Sequence, residues 1–248
     1  MNQAVAKIIS NKQIALDTFE LVIELEAAVT IEAGQFAMLS VGQEQGAILK
    51  RPLSIHDYNE DKVTFIYTVR GKGTLALSKR TQGEIEVILP LGKGFPKLER
   101  DTKVVLLGGG MGVFPLYSIC KCNPQARFYS YLGFRSKEQV CTVERFKASS
   151  VHTVIATDDG SFGKCGLITR FLACGLDKIE PDIILACGPV PMFTSLKKIA
   201  GEIPTYISME ERMACGFGAC LVCACATKSG YVRTCVDGPV FNIAEVEL

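Results

Sequence analysis

The sequence predicts three units in series: a small β-barrel, a parallel α/β sheet and a short cysteine-rich lobe. Up to about residue 98, short alternating or β-branched runs are separated by Gly and Pro. From 101 to about 208, short apolar runs alternate with helical stretches. Beyond that, five of the eleven cysteines crowd into Cys215–Cys235. A chain of 248 residues is long enough for two compact domains and an appendage. The units are placed at 1–99, 100–208 and 209–248.

In the first unit, Ala4–Ile9, Thr18–Leu25, Gly34–Ser40, Lys62–Val69 and Gly83–Leu89 read as strands, and regularly spaced short strands suggest a barrel. Thr74–Lys79 is its one helical stretch, after Gly71-Lys72-Gly73. In the second, Lys103–Leu107, Ala126–Leu132, Val151–Thr157, Asp182–Ala186 and Thr205–Met209 read as strands. Helices are expected at Val113–Cys122, Ser136–Phe146, Leu167–Cys174 and Val190–Ala200. Pro115 falls in the first turn of the first of these, where a missing N–H costs little. Strands alternating with helices mean a parallel sheet covered on both faces. Residues 210–248 are too short for a core of their own, so a metal would have to hold them together.

Composition narrows the function. Hydrophobic residues make up 48% and charged residues 21%, an ordinary globular balance. The net charge of +1 gives no reason to expect nucleic acid or an anionic membrane as partner. No run of about 18 apolar residues occurs, so no transmembrane helix is expected. Lys7, Lys12 and Asp17 interrupt the N-terminal stretch, which does not read as a signal peptide. An odd cysteine count argues against a fully paired disulfide framework. Scattered thiols at Cys120, Cys122, Cys141, Cys165, Cys174 and Cys187, beside a dense cluster, fit a reducing cytoplasm and a metal site.

The cluster reads Cys215-Gly216-Phe217-Gly218-Ala219-Cys220-Leu221-Val222-Cys223, with a fourth thiol at Cys235. This C-x4-C-x2-C…C spacing is that of the plant-type [2Fe–2S] run. The loop from Cys215 to Cys220 must wrap inorganic sulfide with its N–H groups turned inward, and Gly216 and Gly218 permit a partly left-handed path. A zinc site would favour paired C-x2-C knuckles, and here Cys220/Cys223 alone has that form. Four thiols at these offsets arise by chance in about one in 10³ chains of this cysteine content. Cys225 reads as a neighbour of the site rather than a ligand.

Three further motifs point to nucleotides. Arg51-Pro52-Leu53-Ser54 offers a guanidinium that can pair with a pyrophosphate and a hydroxyl that can meet a ring edge. Tyr67-Thr68-Val69-Arg70-Gly71-Lys72-Gly73-Thr74 offers a glycine loop that opens a short helix. Gly108-Gly109-Gly110-Met111-Gly112 closes a strand and opens a helix, although Val113 stands where a G-x-G-x-x-G fingerprint needs its third glycine. Cys187-Gly188-Pro189 and Thr157-Asp158-Asp159-Gly160 also end strands, at the sheet edge where ligands bind in open α/β folds. The Asp pair reads equally well as a solvated turn.

Taken in order, these motifs resemble the electron-transfer subunits of type B dihydroorotate dehydrogenase, within the ferredoxin reductase superfamily; the run Cys235-Val236-Asp237-Gly238-Pro239-Val240-Phe241 adds to the likeness. The resemblance implies a six-stranded antiparallel flavin-binding barrel, a parallel nicotinamide domain and a [2Fe–2S] lobe. It implies FAD lined by Arg51, Pro52, Leu53, Ser54, Ile66, Tyr67, Thr68, Gly73 and Thr74, with Leu53 standing where many members carry a stacking aromatic. NAD would fall on Gly109, Gly110, Asp158, Cys187 and Gly188, and the cluster on Cys215, Cys220, Cys223 and Cys235. Hydride from NADH would pass to FAD, then singly through the cluster to an FMN-containing dihydroorotate dehydrogenase catalytic subunit in a heterotetramer with two copies of each chain.

No side chain is needed as acid or base, and the two histidines, His56 and His152, are expected to be incidental. An apolar patch of Phe217, Leu221, Val222, Val240 and Phe241 is expected on the lobe. Two other readings stay open: an NAD(P)H-oxidising subunit of a bifurcating or sulfur-reducing complex, and a stand-alone ferredoxin-like carrier.

Overall fold

Period-two burial builds the first unit. The computed structural model describes residues 2–42 and 48–248. Its N-terminal strands are β1 (Asn2–Ala15), β2 (Thr18–Glu24), β3 (Phe36–Leu39), β4 (Arg51–Asn59), β5 (Lys62–Thr68) and β6 (Glu84–Leu91). They close a six-stranded antiparallel barrel in the order β1-β2-β5-β4-β3-β6. Leu21, Ile23, Leu39, Ile55, Phe65, Tyr67, Val87 and Leu89 point inward and fill it. A short helix, α1 (Lys72–Ser78), follows β5 and plugs the barrel with Leu77, which is fully buried. β1 runs on to Ala15, well past the predicted strand end, because it pairs with β6 through its first half and β2 through its second.

The second unit is a sheet of β7 (Lys103–Gly109), β8 (Arg127–Phe134), β9 (His152–Thr157), β10 (Lys164–Cys165), β11 (Ile183–Cys187), β12 (Thr205–Ser208) and β15 (Val240–Asn242). Its order is β10-β9-β8-β7-β11-β12-β15, parallel except for the β12–β15 pair. Alternate residues of β7 part to the two faces. Val104 and Leu106 pack with α2 (Val113–Cys122) and α3 (Val143–Ser149). Val105 and Leu107 pack with α4 (Ile168–Ala173), α5 (Leu176–Ile179) and α6 (Val190–Ile199). The chain leaves β7 in one direction through β8 and β9 and returns on the other side as β11, so the strand order reverses between β7 and β11. Such a switch point opens a crevice at the carboxyl ends of the strands.

The stretch predicted as one helix over Ser136–Phe146 is broken. A 3₁₀ turn at Lys137–Gln139 is separated from α3 by Thr142 at φ 61. The β-branched residues Val140, Thr142 and Val143 disfavour a continuous helix. Barrel and loop also compete for the backbone: Leu16 N–H donates to the Glu138 carbonyl at 2.9 Å, and Ser161 Oγ accepts from the Lys137 N–H at 2.8 Å.

The cysteine lobe adds a hairpin, β13 (Ala224–Thr227) and β14 (Gly230–Arg233). It rests on the outer face of the barrel, where Phe36, Met38, Ile88 and Leu91 meet Cys223, Cys235, Met213 and Val236. Its last strand, β15, joins the sheet edge beside β12.

Candidate functional site

The four predicted thiols converge in the lobe, and the backbone explains how. Gly216 and Gly218 sit at φ 80 and φ 90, the left-handed path expected of them. Both are also pressed against neighbours: a Cβ on Gly216 would lie 2.4 Å from Met38 Cγ, and one on Gly218 2.6 Å from Val236 Cγ2. Arg233 braces the loop by donating to the Gly218 carbonyl at 3.3 Å, and its own N–H donates to Asp237 Oδ2 at 2.8 Å.

The thiols fall into two pairs. Cys215 and Cys220 lie 3.3 Å apart, sulfur to sulfur, on the outer side; Cys223 and Cys235 are buried against the barrel. Burial works against the Cys215 thiolate, but the Phe217 N–H, the Cys220 thiol and the N–H groups of Cys220 and Ala219 outweigh it and draw the pKa down to about 6. Burial and the Cys223 thiol push Cys235 up to about 12, with the Gly218 N–H working the other way. The Thr234 hydroxyl is buried with no partner among the described residues. No three described side chains converge on a single metal ion. With the N–H groups of Phe217, Ala219 and Cys220 turned to Cys215 and that of Gly218 to Cys235, two thiol pairs suit the two irons of a [2Fe–2S] cluster rather than one zinc. Cys225 turns away into the core beneath the sheet.

Of the expected nucleotide residues, Thr68, Gly109, Gly110, Asp158 and Gly188 line a cleft of about 690 Å³ at the switch point, whereas Arg51–Ser54, Ile66, Tyr67, Gly73, Thr74 and Cys187 lie outside its wall. Its walls include Thr18, Thr68 and Arg70 from the barrel, Gly109, Gly110, Asp158 and Gly188 from the sheet edge, and Glu210 at the root of the lobe. That volume lies in the range of small-molecule sites. Gly110 sits at φ 57 with open space where a side chain would be. Gly112 does the opposite: a Cβ there would meet the Cys187 carbonyl oxygen at 2.1 Å, so this glycine lets α2 close onto β11. Cys187 itself is buried behind the wall, and burial raises its thiol pKa; its neighbours Gly188 and Pro189 reach the cleft. Asp158 is exposed on the wall, close to Arg135. The neighbouring Asp159 accepts from the Ser161 N–H at 3.0 Å and the Ser161 hydroxyl at 2.6 Å, which is turn chemistry.

On the barrel, Arg51–Ser54 open β4 and stay half-buried at the surface. The Arg51 guanidinium lies over Gly73: a Cβ there would sit 2.1 Å from Arg51 Nε. Thr74 Oγ1 accepts from the Arg70 and Gly71 N–H groups and shapes the turn into α1. Ile66 is buried between the barrel and the sheet domain. The Tyr67 side chain points into the barrel, stacked on Phe19 and donating to Asn11 Oδ1 at 3.1 Å, so it is not available at the surface.

Arg70 and Glu210 were not among the predicted site residues. Glu210 lies two residues past the end of β12, and the strand-end rule that singled out Gly110 and Asp158 would have found it. Protein surrounds the Glu210 carboxyl although water reaches it through the cleft; desolvation raises its pKa and Arg70 opposes the rise. Of the expected apolar patch, Phe217, Leu221 and Val222 are exposed beside Cys220, whereas Phe241 is buried under the sheet and Val240 is half-buried in β15. Strand pairing with β12 is what withdraws them.

Barrel, switch-point sheet and thiol lobe together define a ferredoxin-reductase-type oxidoreductase that uses FAD, NAD and a [2Fe–2S] cluster. Residues 210–247 match the family described as the iron–sulfur cluster binding domain of dihydroorotate dehydrogenase B. The electron transfer subunit of dihydroorotate dehydrogenase B (NAD(+)) from Bacillus pumilus is 39% identical over 259 residues, covering 100% of this chain and 99% of the relative. The subunit of the same name from Caldanaerobacter subterraneus is 39% identical over 249 residues, covering 97% of each. The chain belongs to this family of electron transfer subunits. Among solved structures, an NADH-dependent reduced ferredoxin-NADP oxidoreductase superposes with a TM-score of 0.87 at 29% identity, covering 98% of this chain and 90% of the other. Phthalate dioxygenase reductase shares the fold, with a TM-score of 0.69 at 16% identity, covering 92% and 88%.

Proposed function

We propose that this chain takes hydride from NADH and delivers single electrons to the FMN of a dihydroorotate dehydrogenase catalytic subunit, serving the NAD-linked interconversion of dihydroorotate and orotate in pyrimidine biosynthesis. The observation that carries the reading is the cleft, whose wall joins the barrel, the sheet edge and the root of the thiol lobe. When bound, FAD supplies the conversion of a two-electron hydride into single electrons, and the cluster supplies their exit. The chain binds and orients. Arg51, Pro52, Leu53, Ser54, Ile66, Thr68, Gly73 and Thr74 are proposed to hold FAD, with Tyr67 contributing backbone alone. Gly109, Gly110, Asp158 and Gly188 are proposed to hold NAD, with Cys187 supporting them from behind. Cys215, Cys220, Cys223 and Cys235 are proposed as the iron ligands, and 1–99, 100–208 and 209–248 as the three working units.

The outer thiol pair lies beside exposed Phe217, Leu221 and Val222, which suits a face covered by the catalytic partner. We place two copies of each subunit in the complex and the complex in the cytoplasm, which suits eleven unpaired thiols. No described helix is long and apolar enough to cross a membrane. Expressed alone, the chain should oxidise NADH with artificial acceptors but leave orotate untouched; co-expressed with its FMN partner, it should reduce orotate. Orotate reduction by the isolated chain would overturn the reading.

The likeness to the reduced ferredoxin-NADP oxidoreductase favours a second reading, as the NAD(P)H-oxidising subunit of a bifurcating complex. Native mass spectrometry of the complex separates the two, because each requires a different partner.

A further inference from the structure

His56 is fully buried at the junction of barrel and sheet domain, with both ring nitrogens engaged. Its Nδ1 lies 2.7 Å from the Phe114 carbonyl oxygen and its Nε2 lies 2.6 Å from Arg145 Nη1. A guanidinium only donates and a carbonyl only accepts, so Nε2 must be the acceptor and Nδ1 must carry the proton. The hydrogen bonds therefore hold the imidazole neutral in one tautomer. Tyr117 stacks on the ring with centroids 5.0 Å apart. Beyond it, Arg145 Nη2 donates to Glu20 Oε2 at 2.5 Å. The chain of contacts runs from β2 (Glu20) through α3 (Arg145) and β4 (His56) to α2 (Phe114).

The place of this junction matters more than its stability. Along β4, His56 stands two residues past Ser54, the last of the flavin-side residues. Along the chain, Phe114 stands two residues past Gly112, in the first turn of the helix that the nicotinamide-side glycine loop opens. Phe114 also lines the cleft. An apolar contact here would join the two domains without fixing their angle, whereas two directional hydrogen bonds to opposite sides of one ring set the angle as well.

We propose that His56, Arg145 and Glu20 are positioning residues that hold the nicotinamide-side loop against the flavin-side strand, so that a bound nicotinamide meets the flavin in hydride-transfer register. The inference rests on the flavin–nicotinamide reading of the cleft. Misplacement of reacting atoms by an ångström can cost about 10²-fold in rate while leaving ground-state binding nearly intact. Loss of the junction should therefore appear in the hydride step rather than in affinity.

The test is anaerobic stopped-flow reduction of the flavin by NADH in the cofactor-loaded chain. In His56→Leu the limiting rate should fall about tenfold while the NADH dissociation constant stays within about twofold. His56→Gln keeps one donor and one acceptor and should recover most of the rate. Arg145→Met changes the half-exposed outer end of the junction, so it tests the idea even if His56→Leu does not retain FAD; its limiting rate should fall about threefold. An unchanged limiting rate in Arg145→Met and in FAD-loaded His56→Leu, or a loss confined to affinity, overturns the positioning role alone. A wild-type flavin that NADH fails to reduce overturns the reading of the cleft, and this inference with it.

Discussion

In the lobe, every proposed ligand lies between Cys215 and Cys235, and one loop's backbone aims the groups around it. In the cleft, the wall draws on positions from Thr18 to Glu210 and on both large units. The first site is local and rigid by covalent spacing. The second exists only once the barrel and the sheet have docked, through contacts such as His56 with Phe114 and Asp57 with Lys121 at 2.5 Å. A local site should fail all at once when one ligand goes, while a docked site should fail by degrees, according to how each wall residue is packed.

The largest effect belongs to the lobe. Ser in place of Cys215, Cys220, Cys223 or Cys235 should abolish or strongly perturb the [2Fe–2S] EPR signal, because one of the two irons would lose one of its two thiolates. Cys225→Ser should leave the signal largely intact, since that thiol sits in the core below the sheet. A cluster that survives Cys235→Ser but not Cys225→Ser would reverse the assignment.

The next effect asks whether the docked site has any position as unforgiving. Gly112 is the candidate, because the atoms its Cβ would strike, 2.1 and 2.3 Å away, are backbone atoms of Cys187 and cannot rotate aside. Gly112→Ala should destabilise by about 3 kcal/mol or more, read from urea melts. Gly110→Ala meets nothing within 4 Å and should cost about 1–2 kcal/mol, for the left-handed backbone at φ 57 alone. Equal costs at the two glycines would show that the helix–strand approach is softer than these distances imply.

The same contrast explains what could be read from the chain. The gathering of the four thiols in one lobe and the left-handed glycines were legible because spacing and φ are local properties. Helix α2 was legible to the residue, since Gly112 and Pro115 mark its start and Asn123 follows its end. The switch-point edge followed from alternation of strand and helix. What stayed hidden depended on docking. His56 looked incidental because its partners Phe114 and Arg145 lie 58 and 89 residues away. Phe241 looked like surface because nothing in a three-residue strand announces that it pairs with β12. Tyr67 looked like a ligand neighbour because the strand's register, which turns it inward beside Phe19, is set by its partner β2.

Nucleotide choice comes third. Asp158 stands exposed on the cleft wall, and a carboxylate can accept from ribose hydroxyls but repels a 2′-phosphate. A like-charge contact of this kind supports discrimination of about a hundredfold in kcat/KM for NADH over NADPH. Arg135 on the same wall offers the opposite charge, so Asp158→Ser should shift the ratio toward NADPH. Steady-state reduction with each nucleotide measures it, and equal kcat/KM in the wild type would remove Asp158 from the ribose site.

The smallest effect sits where cleft and lobe meet. Glu210 has its pKa raised, first by desolvation, with Arg70 pulling the other way. Below the ordinary carboxylate range both folded and unfolded chains carry the proton, and Glu210 costs nothing. As pH rises, the unfolded chain releases its proton first, so stability falls through the window up to the raised folded value and stays lower above it. Glu210→Gln removes that penalty. Because water reaches the carboxyl and Arg70 offsets part of the cost, the gain at pH 7 should stay under about 1 kcal/mol. At pH 4 the variant and the wild type should melt alike. Urea melts at the two pH values measure the difference between them. An equal gain at both would assign the effect to packing in the cleft wall rather than to the carboxylate's charge, and a loss at pH 7 would mean that the attraction to Arg70 outweighs desolvation.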